Sequence, residues 1–482
     1  MNSISFFTLV TGKHRPRAGY TLGLAILVGA LNGCASFSAD GGFGAVQTIT
    51  KERLGKAVAW AKTDGERDDI AKRVAELLSK PLSVDDAVQV SLLNNRGLQA
   101  TFAELGISES DRVQAGRLPN PRFSMRRASA GDALNIEQVL TFNIFALLTM
   151  PQAQAMEGRR FERMQHAVTL NVLSLATQTR KAYYVAVATD ETVRYVRQVK
   201  LAADAGAELA RRMAQAGNFN KLQQAREHGF YAEAALNLVR AEQAQTAARE
   251  GLTRLLGLWG QQTAFQLPER LPDLPKQPND LPAVEQTAMA QRLDVQAAKL
   301  DVEATAKNLG LTQTTRFINA LELGPVRVLE GQSDAPYKRG YEVSFEIPLF
   351  DWGTAKVAKA EAIYMQSVNR AAETAINARS EVRETYQGYR VGYDIARHYR
   401  DEIVPIQKRI SEENQLRYNG MLIGVFDLLA DARAQIASVN GYIGALRDFW
   451  IADADLEMAL IGKPHMNAAP KAVAGGGDAA KE

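Results

Sequence analysis

The side chains that most often carry chemistry are few and scattered in this sequence. It has one cysteine, Cys34, and five histidines: His14, His166, His228, His398 and His465. A single cysteine allows no internal disulfide and no thiolate cage. The histidines show neither HxxxH nor HxH spacing, so no metal site and no cofactor is expected. No G-x-S-x-G elbow and no phosphate-cradling G-x-x-x-x-G-K-[ST] loop occurs, and no catalytic constellation emerges. Lys and Arg number 57 against 54 Asp and Glu. The first 33 residues hold Lys13, Arg15 and Arg17 and no acid, so a chain starting at Cys34 balances at 54 against 54. That balance argues against a nucleic-acid partner, which needs clustered basic charge. What remains is a set of carboxylates, Glu342, Glu346, Asp427 and Asp431, whose use depends on the elements that hold them.

Cys34 sits where one reaction is expected. The basic residues at 13–17 precede an apolar run, Ala18 to Leu31, and then Leu31-Asn32-Gly33-Cys34. A charged start and a short apolar stretch describe a signal peptide, too short to span comfortably as an anchor. Leu-x-Gly-Cys resembles a bacterial lipobox, which implies cleavage before Cys34 and acylation of the new N-terminus; the alternative is a free cysteine that closes a signal peptide. Ala35 follows where an Asp would, by that resemblance, favour inner-membrane retention. Several acyl chains on one residue would anchor the protein stably.

The chain contains an internal duplication. Gly217-Asn218-Phe219-Asn220-Lys221-Leu222-Gln223-Gln224-Ala225-Arg226 and Gly424-Val425-Phe426-Asp427-Leu428-Leu429-Ala430-Asp431-Ala432-Arg433 both read G-x-F-[N/D]-x-L-x-x-A-R. Leu98-Gln99-Ala100 answers Val295-Gln296-Ala297, and each copy closes on an apolar stretch and glycine, at Gly257 and Gly462. The organisation expected is a signal peptide (1–33), a lipidated lead-in (34–80), a first repeat (81–262), a Pro-rich linker (263–280), a second repeat (281–462) and a tail (463–482). Five prolines between Phe265 and Pro282 forbid helix and favour an extended connector.

Within each repeat the hydrophobic period changes. From Gln152 to Ala216 apolar or small residues recur at alternating steps of four and three, as at Val168, Val172, Leu175, Thr179, Ala182 and Ala186, a coiled-coil seam. At ~1.5 Å per residue such a helix would reach roughly 98 Å. Thr354 to Tyr418 has the same character, and helical stretches return over Leu222–Leu256 and Leu428–Leu460. Each repeat therefore predicts a long helical hairpin with the G-x-F segment at its tip. Before each long helix the period is two. Tyr341, Val343, Phe345, Ile347 and Leu349 alternate with Glu342, Ser344 and Glu346. Leu134, Ile136, Leu140, Phe142 and Ile144 alternate with Asn135, Glu137, Thr141 and Asn143, and Gln138 breaks the apolar row. Partner strands are expected over Arg122–Arg127 and Arg316–Leu323. A soluble sheet with one wet face is the commoner source of such a pattern. In duplicated pairs on an exported chain it fits the lipid-facing and lumen-facing rows of a transmembrane barrel. Four strands cannot close alone, since small barrels need about eight.

Leu82-Ser83-Val84-Asp85-Asp86-Ala87-Val88, Leu93-Asn94-Asn95 and Leu98-Gln99-Ala100 resemble the opening of the TolC-like outer-membrane efflux protein family. So do Gln114-Ala115-Gly116-Arg117-Leu118-Pro119-Asn120-Pro121, Ile347-Pro348-Leu349-Phe350-Asp351-Trp352-Gly353, and Arg417-Tyr418 ahead of Asp427-Leu428-Leu429. The resemblance spans roughly residues 80 to 462. It implies a mainly α fold with β: a homotrimer sharing a twelve-stranded outer-membrane β-barrel, continued by a long periplasmic α-helical barrel. It also implies a passive exit duct of a Gram-negative outer membrane that docks a periplasmic adaptor and an inner-membrane pump or transporter. A duct for secreted polypeptides is equally compatible, and a periplasmic coiled-coil lipoprotein without a pore is the alternative of another class.

The same resemblance assigns residues. Gly217, Phe219 and Leu222 in one tip and Gly424, Phe426 and Leu429 in the other would meet the adaptor. Gly217 and Gly424 would supply backbone conformations that a β-carbon disfavours. Asp427, with Asp431 and Asn220, would form a periplasmic gate, where a ring of carboxylates favours cations; the plainer reading of Asp427 is a helix-capping acid. The family's next tip acid would fall on Ala430, and Met421 stands where its tips carry glycine. Phe219 and Phe426 are read as core residues before docking contacts, and Arg226 and Arg433 as helix-surface pairs. Glu342, Ser344 and Glu346 would line the barrel lumen.

Overall fold

The computed structural model describes residues 36–318 and 320–463. Cys34, the expected signal peptide and all but the first residue of the expected tail lie outside the described residues. The chain divides into two compact units. One gathers Glu109–Gly158 and Gly310–Ala358 around a sheet; the other, built mainly from Ala39–Ser108, Arg159–Leu309 and the chain from Lys359, is helical.

Two helices, α1 (Phe43–Leu54) and α2 (Asp64–Leu78), open the helical unit. Then one order of elements occurs twice: two helices, two strands, a long helix, a tip and a returning helix. The first set is α3 (Val84–Asn94), α4 (Arg96–Ala115), β1 (Arg122–Ala130), β2 (Ala133–Asn143), α5 (Ile144–Gln215) and α6 (Lys221–Leu256). The second is α7 (Val284–Gln291), α8 (Leu293–Thr315), β3 (Leu321–Gly331), β4 (Lys338–Phe345), α9 (Thr354–His398), α10 (Val404–Asn419) and α11 (Val425–Ile461).

Local chemistry accounts for the starts and stops. Thr63 and Glu66 form a reciprocal capping box at α2, and Ser83 caps α3 by accepting from the Asp86 N–H at 3.1 Å. The Leu93-Asn94-Asn95 segment serves a distant helix end. The Asn94 amide donates to the Leu256 and Gly257 carbonyls at 3.1 and 2.8 Å, and Asn95 donates to Leu255 at 3.0 Å. Carbonyls that α6 leaves unpaired at its C-terminus are satisfied there. In the second set Arg292 takes this place, donating to Ala459 near the end of α11 at 3.3 Å. Its guanidinium, almost wholly buried, pairs with Asp294 and Glu381 at 2.7 Å each.

The lead-in is part of the core. Phe43 and Val46 of α1 are buried with Phe102, Leu105, Val168 and Val172, and the Phe43 and Phe102 rings meet edge-on at 4.8 Å. From 264 to 281 the proline-rich connector has neither helix nor strand, and helix side chains hold its carbonyls. Tyr393 donates to Lys276 at 2.8 Å and Trp450 to Pro272 at 3.0 Å. Leu271 and Leu274 are buried beside them. Prolines remove donors but leave acceptors, and these tyrosine and tryptophan groups answer them.

Two helices depart from the expected bounds. α5 begins at Ile144 and carries Pro151 inside; the seam residues Val168, Val172, Thr179, Ala186 and Val193 are buried as the period predicts. The second long helix is interrupted by a π turn, Tyr399–Ile403, just ahead of Pro405. Proline lacks the N–H that would bond four residues back, so the backbone there widens. Gly441 makes room for this bulge: a β-carbon on it would sit 2.6 Å from the Tyr399 ring.

The sheet is antiparallel throughout, in the order β1-β2-β3-β4. Gly131, with φ 57, takes the first position of the two-residue turn between β1 and β2. β3 departs from expectation: it starts at Leu321 and runs to Gly331, so only the last three residues of Arg316–Leu323 belong to it. Gly324 and Pro325, ordinarily strand breakers, lie inside. A β-carbon on Gly324 would fall 1.8 Å from the Leu140 carbonyl oxygen, so only glycine permits this approach, and Pro325 has no N–H to donate. β4 pairs only as far as Phe345, opposite Leu321. The expected strand over Tyr341–Leu349 is therefore shorter, ahead of Pro348, and Glu346 lies past its end.

Candidate functional site

The tips between α5 and α6 and between α10 and α11 use one turn. In the first, the N–H groups of Ala216, Gly217 and Asn218 donate to Arg212, Ala214 and Met213. In the second, those of Gly420, Met421 and Leu422 donate to Leu416, Tyr418 and Arg417. Bond for bond, Gly217 answers Met421. Both have positive φ, 78° and 60°. Gly424 has φ −79 and ψ 160 and is the N-cap of α11, the place Asn220 holds on α6. The expectation that Gly424 supplies a left-handed turn is thus corrected: Met421 does. The shared G-x-F letters are three residues out of register with the shared geometry.

The caps differ accordingly. Asn220 and Gln223 bond reciprocally, at 2.8 and 3.2 Å. On α11 the glycine has no side chain, so only half of that pair exists: Asp427 accepts from the Gly424 N–H at 3.1 Å. Asp427 therefore acts as the capping acid of its own helix while staying exposed. Asp431 is half-buried and accepts from the Asn414 amide.

Other residues bring the two hairpins together. Phe219 and Phe426 stack at 4.3 Å between centroids. Glu227, buried, pairs with Arg433 at 2.5 Å, and the Arg433 guanidinium lies 3.7 Å over the Phe230 ring. Leu429 packs so closely on Gly206 that a β-carbon there would meet it at 3.3 Å. Leu222 is exposed, as are Gly217 and Asn220. Sequence reasoning placed Arg433 in a surface pair but missed Glu227, Phe230 and Gly206. The signal present was an acid, Glu227, directly after the motif arginine Arg226.

The sheet has two unlike faces. Register places Phe123, Leu140, Pro325 and Tyr341 in one row on one face, with Phe142, Leu323 and Val343 in the next. Phe123, Tyr341, Val343 and Phe345 are well exposed there. Glu342 and Ser344 lie on the opposite face, as do Glu137, Glu322 and Glu330. On that face Arg122 pairs with Glu322, Arg126 with Glu137 and Lys338 with Glu330. The sheet's exposed apolar face would have to be covered, because a contiguous apolar patch is unstable against water.

Beyond the ladder, Ile347, Leu349, Phe350 and Trp352 are also exposed. Gly353, φ 73, closes that segment where a β-carbon would meet the Arg316 carbonyl at 2.6 Å, and Asp351 accepts from its N–H at 2.8 Å. Among the described residues no group of three His, Cys, Asp or Glu could hold a metal ion. Among the same residues no helix is long and apolar enough to cross a membrane.

No protein-family model and no curated protein matches the sequence. Solved structures do. The chain is similar to a membrane protein from Pseudomonas aeruginosa, 18% identical over 78% of this chain and 93% of that one, with a TM-score of 0.67. It is similar to the outer membrane protein VceC of Vibrio cholerae, 14% identical over 79% and 96%, TM-score 0.66. It is also similar to the open state of the MtrE outer membrane channel of Neisseria gonorrhoeae, 17% identical over 79% and 89%, TM-score 0.65. Identities this low speak for the fold alone. That fold, mostly helical with one small sheet, is the one found in TolC-like outer-membrane channels.

Proposed function

We propose that three copies of this chain form a passive exit duct in the outer membrane of a Gram-negative bacterium. Each contributes four strands to a shared barrel, and the helical hairpins continue it into the periplasm. The tips dock a periplasmic adaptor that links the duct to an inner-membrane pump or transporter. The observation that carries this reading is the sheet. Its exposed apolar face suits lipid, and its charged face, with Glu342 and Ser344, suits a water-filled lumen. Glu346 lies at the mouth of that lumen. An exposed Asp427 on the second tip of each copy would place three carboxylates at one constriction, with Asn220 and Asp431 behind them, and such a ring prefers cations. Gly217, Phe219, Leu222, Gly424, Phe426 and Leu429 form the docking surface. Acylation of Cys34 anchors each subunit at the periplasmic leaflet.

Electron-microscope imaging of the detergent-extracted protein, with single-channel recording in planar bilayers, tests the duct. A three-fold hollow cylinder that conducts is the expected result. A rod without lumen or conductance would overturn the reading in favour of a lipid-anchored coiled-coil spacer. Radiolabelled palmitate should mark the wild-type chain and not Cys34→Ser; equal labelling of both would remove the anchor.

A further inference from the structure

The two faces of the sheet differ in more than polarity. Register assigns every acid of the four strands, Glu137, Glu322, Glu330 and Glu342, to the charged face. The cations of that face, Arg122, Arg126 and Lys338, each have a carboxylate partner. The apolar face has no acid, yet it bears Arg127, Arg327 and Arg339. Arg327 stands directly opposite Arg339 in the β3–β4 ladder, and all three are exposed. Like charges directly opposite one another destabilise a sheet, and arginine on a lipid-facing surface is tolerated only toward an interface, where its cost falls to about 0–1 kcal/mol.

The cations are also ordered along the strands. They lie toward the hairpin turns, while the rows nearer the helices are apolar: first Phe123, Leu140, Pro325 and Tyr341, then Phe142, Leu323 and Val343. Between them the sheet is dented. A depression of about 430 Å³ is lined by Phe123, Gln138, Leu140, Pro325, Arg327 and Arg339. It lies where Pro325 and Gly324 interrupt the β2–β3 pairing. Two guanidiniums and an amide at one end and an apolar trough at the other describe the complement of an anionic amphiphile.

We infer that this depression binds a phosphate-bearing lipid of the leaflet that surrounds the hairpin ends of the strands. Arg327 and Arg339 clamp the phosphate, and the Phe123–Tyr341 row carries the upper part of an acyl chain. Guanidinium is the donor suited to this work, because its fork matches phosphate oxygens. The lipid also relieves the Arg327–Arg339 repulsion. The inference rests on the proposed membrane-spanning sheet.

The test is lipid selectivity at the boundary of the reconstituted full chain, read by spin-labelled phosphatidic acid against spin-labelled phosphatidylcholine. The wild-type protein should prefer phosphatidic acid several-fold. Arg327→Gln with Arg339→Gln should lose roughly tenfold in phosphatidic-acid affinity, the scale of charge-assisted bonds to phosphate. Lys338→Gln, one residue away on the other face, should keep the preference. Equal selectivity in wild type and double variant would overturn the inference. So would an equal loss in Lys338→Gln, which would mean net charge only, or abolition of the preference by inorganic phosphate, which would mean a site for the free ion. Channel recording on the same samples separates the two levels. Conductance without lipid preference sinks this inference alone, whereas lipid preference without conductance sinks the duct.

Discussion

The rings of Phe219 and Phe426 stack with planes 26° apart, one from each tip. They are not equivalent residues. Phe219 precedes its cap Asn220, and Phe426 lies two positions past its cap Gly424. The stack is therefore a tie between hairpins and no part of either turn. Pairs of this kind contribute about 0.5–1.5 kcal/mol beyond burial. In a double-mutant cycle by denaturant unfolding, Phe219→Ala and Phe426→Ala should couple by about 1 kcal/mol. Additive losses would mean that the rings are mere neighbours.

The Glu227–Arg433 pair should be asymmetric. Glu227 keeps 9% of its side-chain surface and Arg433 31%. Arg433→Met strands a buried carboxylate and should cost about 3 kcal/mol, whereas Glu227→Gln leaves a cation that still rests on Phe230 and should cost about 1. Combining them should recover part of the loss. A Glu227→Gln variant less stable than Arg433→Met would reverse this ranking.

Asp427 has two separable roles, cap and charge. Asp427→Asn keeps an acceptor for the Gly424 N–H and should change cation selectivity in bilayers while leaving the melting temperature within a degree or two. Asp427→Ala should also lose about 1 kcal/mol of cap. Unaltered selectivity in both would leave only the cap.

Met421 occupies a left-handed conformation that ordinarily costs a non-glycine residue about 1–2 kcal/mol. Met421→Gly should slow amide exchange in the last turn of α10 by roughly fivefold, the equivalent of about 1 kcal/mol. Faster exchange would show that the methionine is stabilised by contacts outweighing its backbone.

The Asp453 carboxyl on α11 is held above the usual carboxylate range. Burial, and secondarily Glu457, push its carboxyl up from 3.8 to about 6, with Arg180 opposing. The folded chain therefore holds a proton there that the unfolded chain releases. Stability should fall as pH rises from about 4 to about 6 and then level off. Asp453→Asn should remove that slope, matching wild type near pH 4 and exceeding it by about 2 kcal/mol at pH 8. A gain that is the same at both pH values would assign the effect to something other than the proton.

Elements with a sustained period were readable from the sequence. The Val168–Val193 seam and the Glu342/Val343 alternation follow from side-chain geometry alone, and burial and register agree with them. What misled was chemistry that acts across the chain. Gly324 and Pro325 look like the end of a strand, yet they lie within β3, where the backbone of β2 comes too close for any side chain. The G-x-F letters suggested one tip register, while the caps follow another: Asn220 caps α6, but its motif counterpart Asp427 lies in the first turn of α11 and accepts from the Gly424 N–H, so α11 starts three residues earlier than the motif implies. The burial of Phe43 and Val46 in α1 was not legible, because the residues that cover them, Phe102 and Val168 among them, lie far along the chain. Glu227 and Arg433 carry no mark of each other in sequence, since only the packed hairpins bring them together.

The even number of strands has one more consequence. β1 leads away from the end at which helices enter the sheet, and β4 returns toward it. When copies share one orientation, the open edge of β4 on one therefore meets the open edge of β1 on the next running the opposite way, and the antiparallel pattern continues unbroken across the seam. A fifth strand would bring two parallel neighbours together there; a strand fewer would do the same. Joining like edges, β1 to β1, would turn one copy upside down and send its helices to the other side. Strand parity, set within a single chain, thus lets copies of one orientation close an antiparallel ring, with every strand-to-helix connection at one rim.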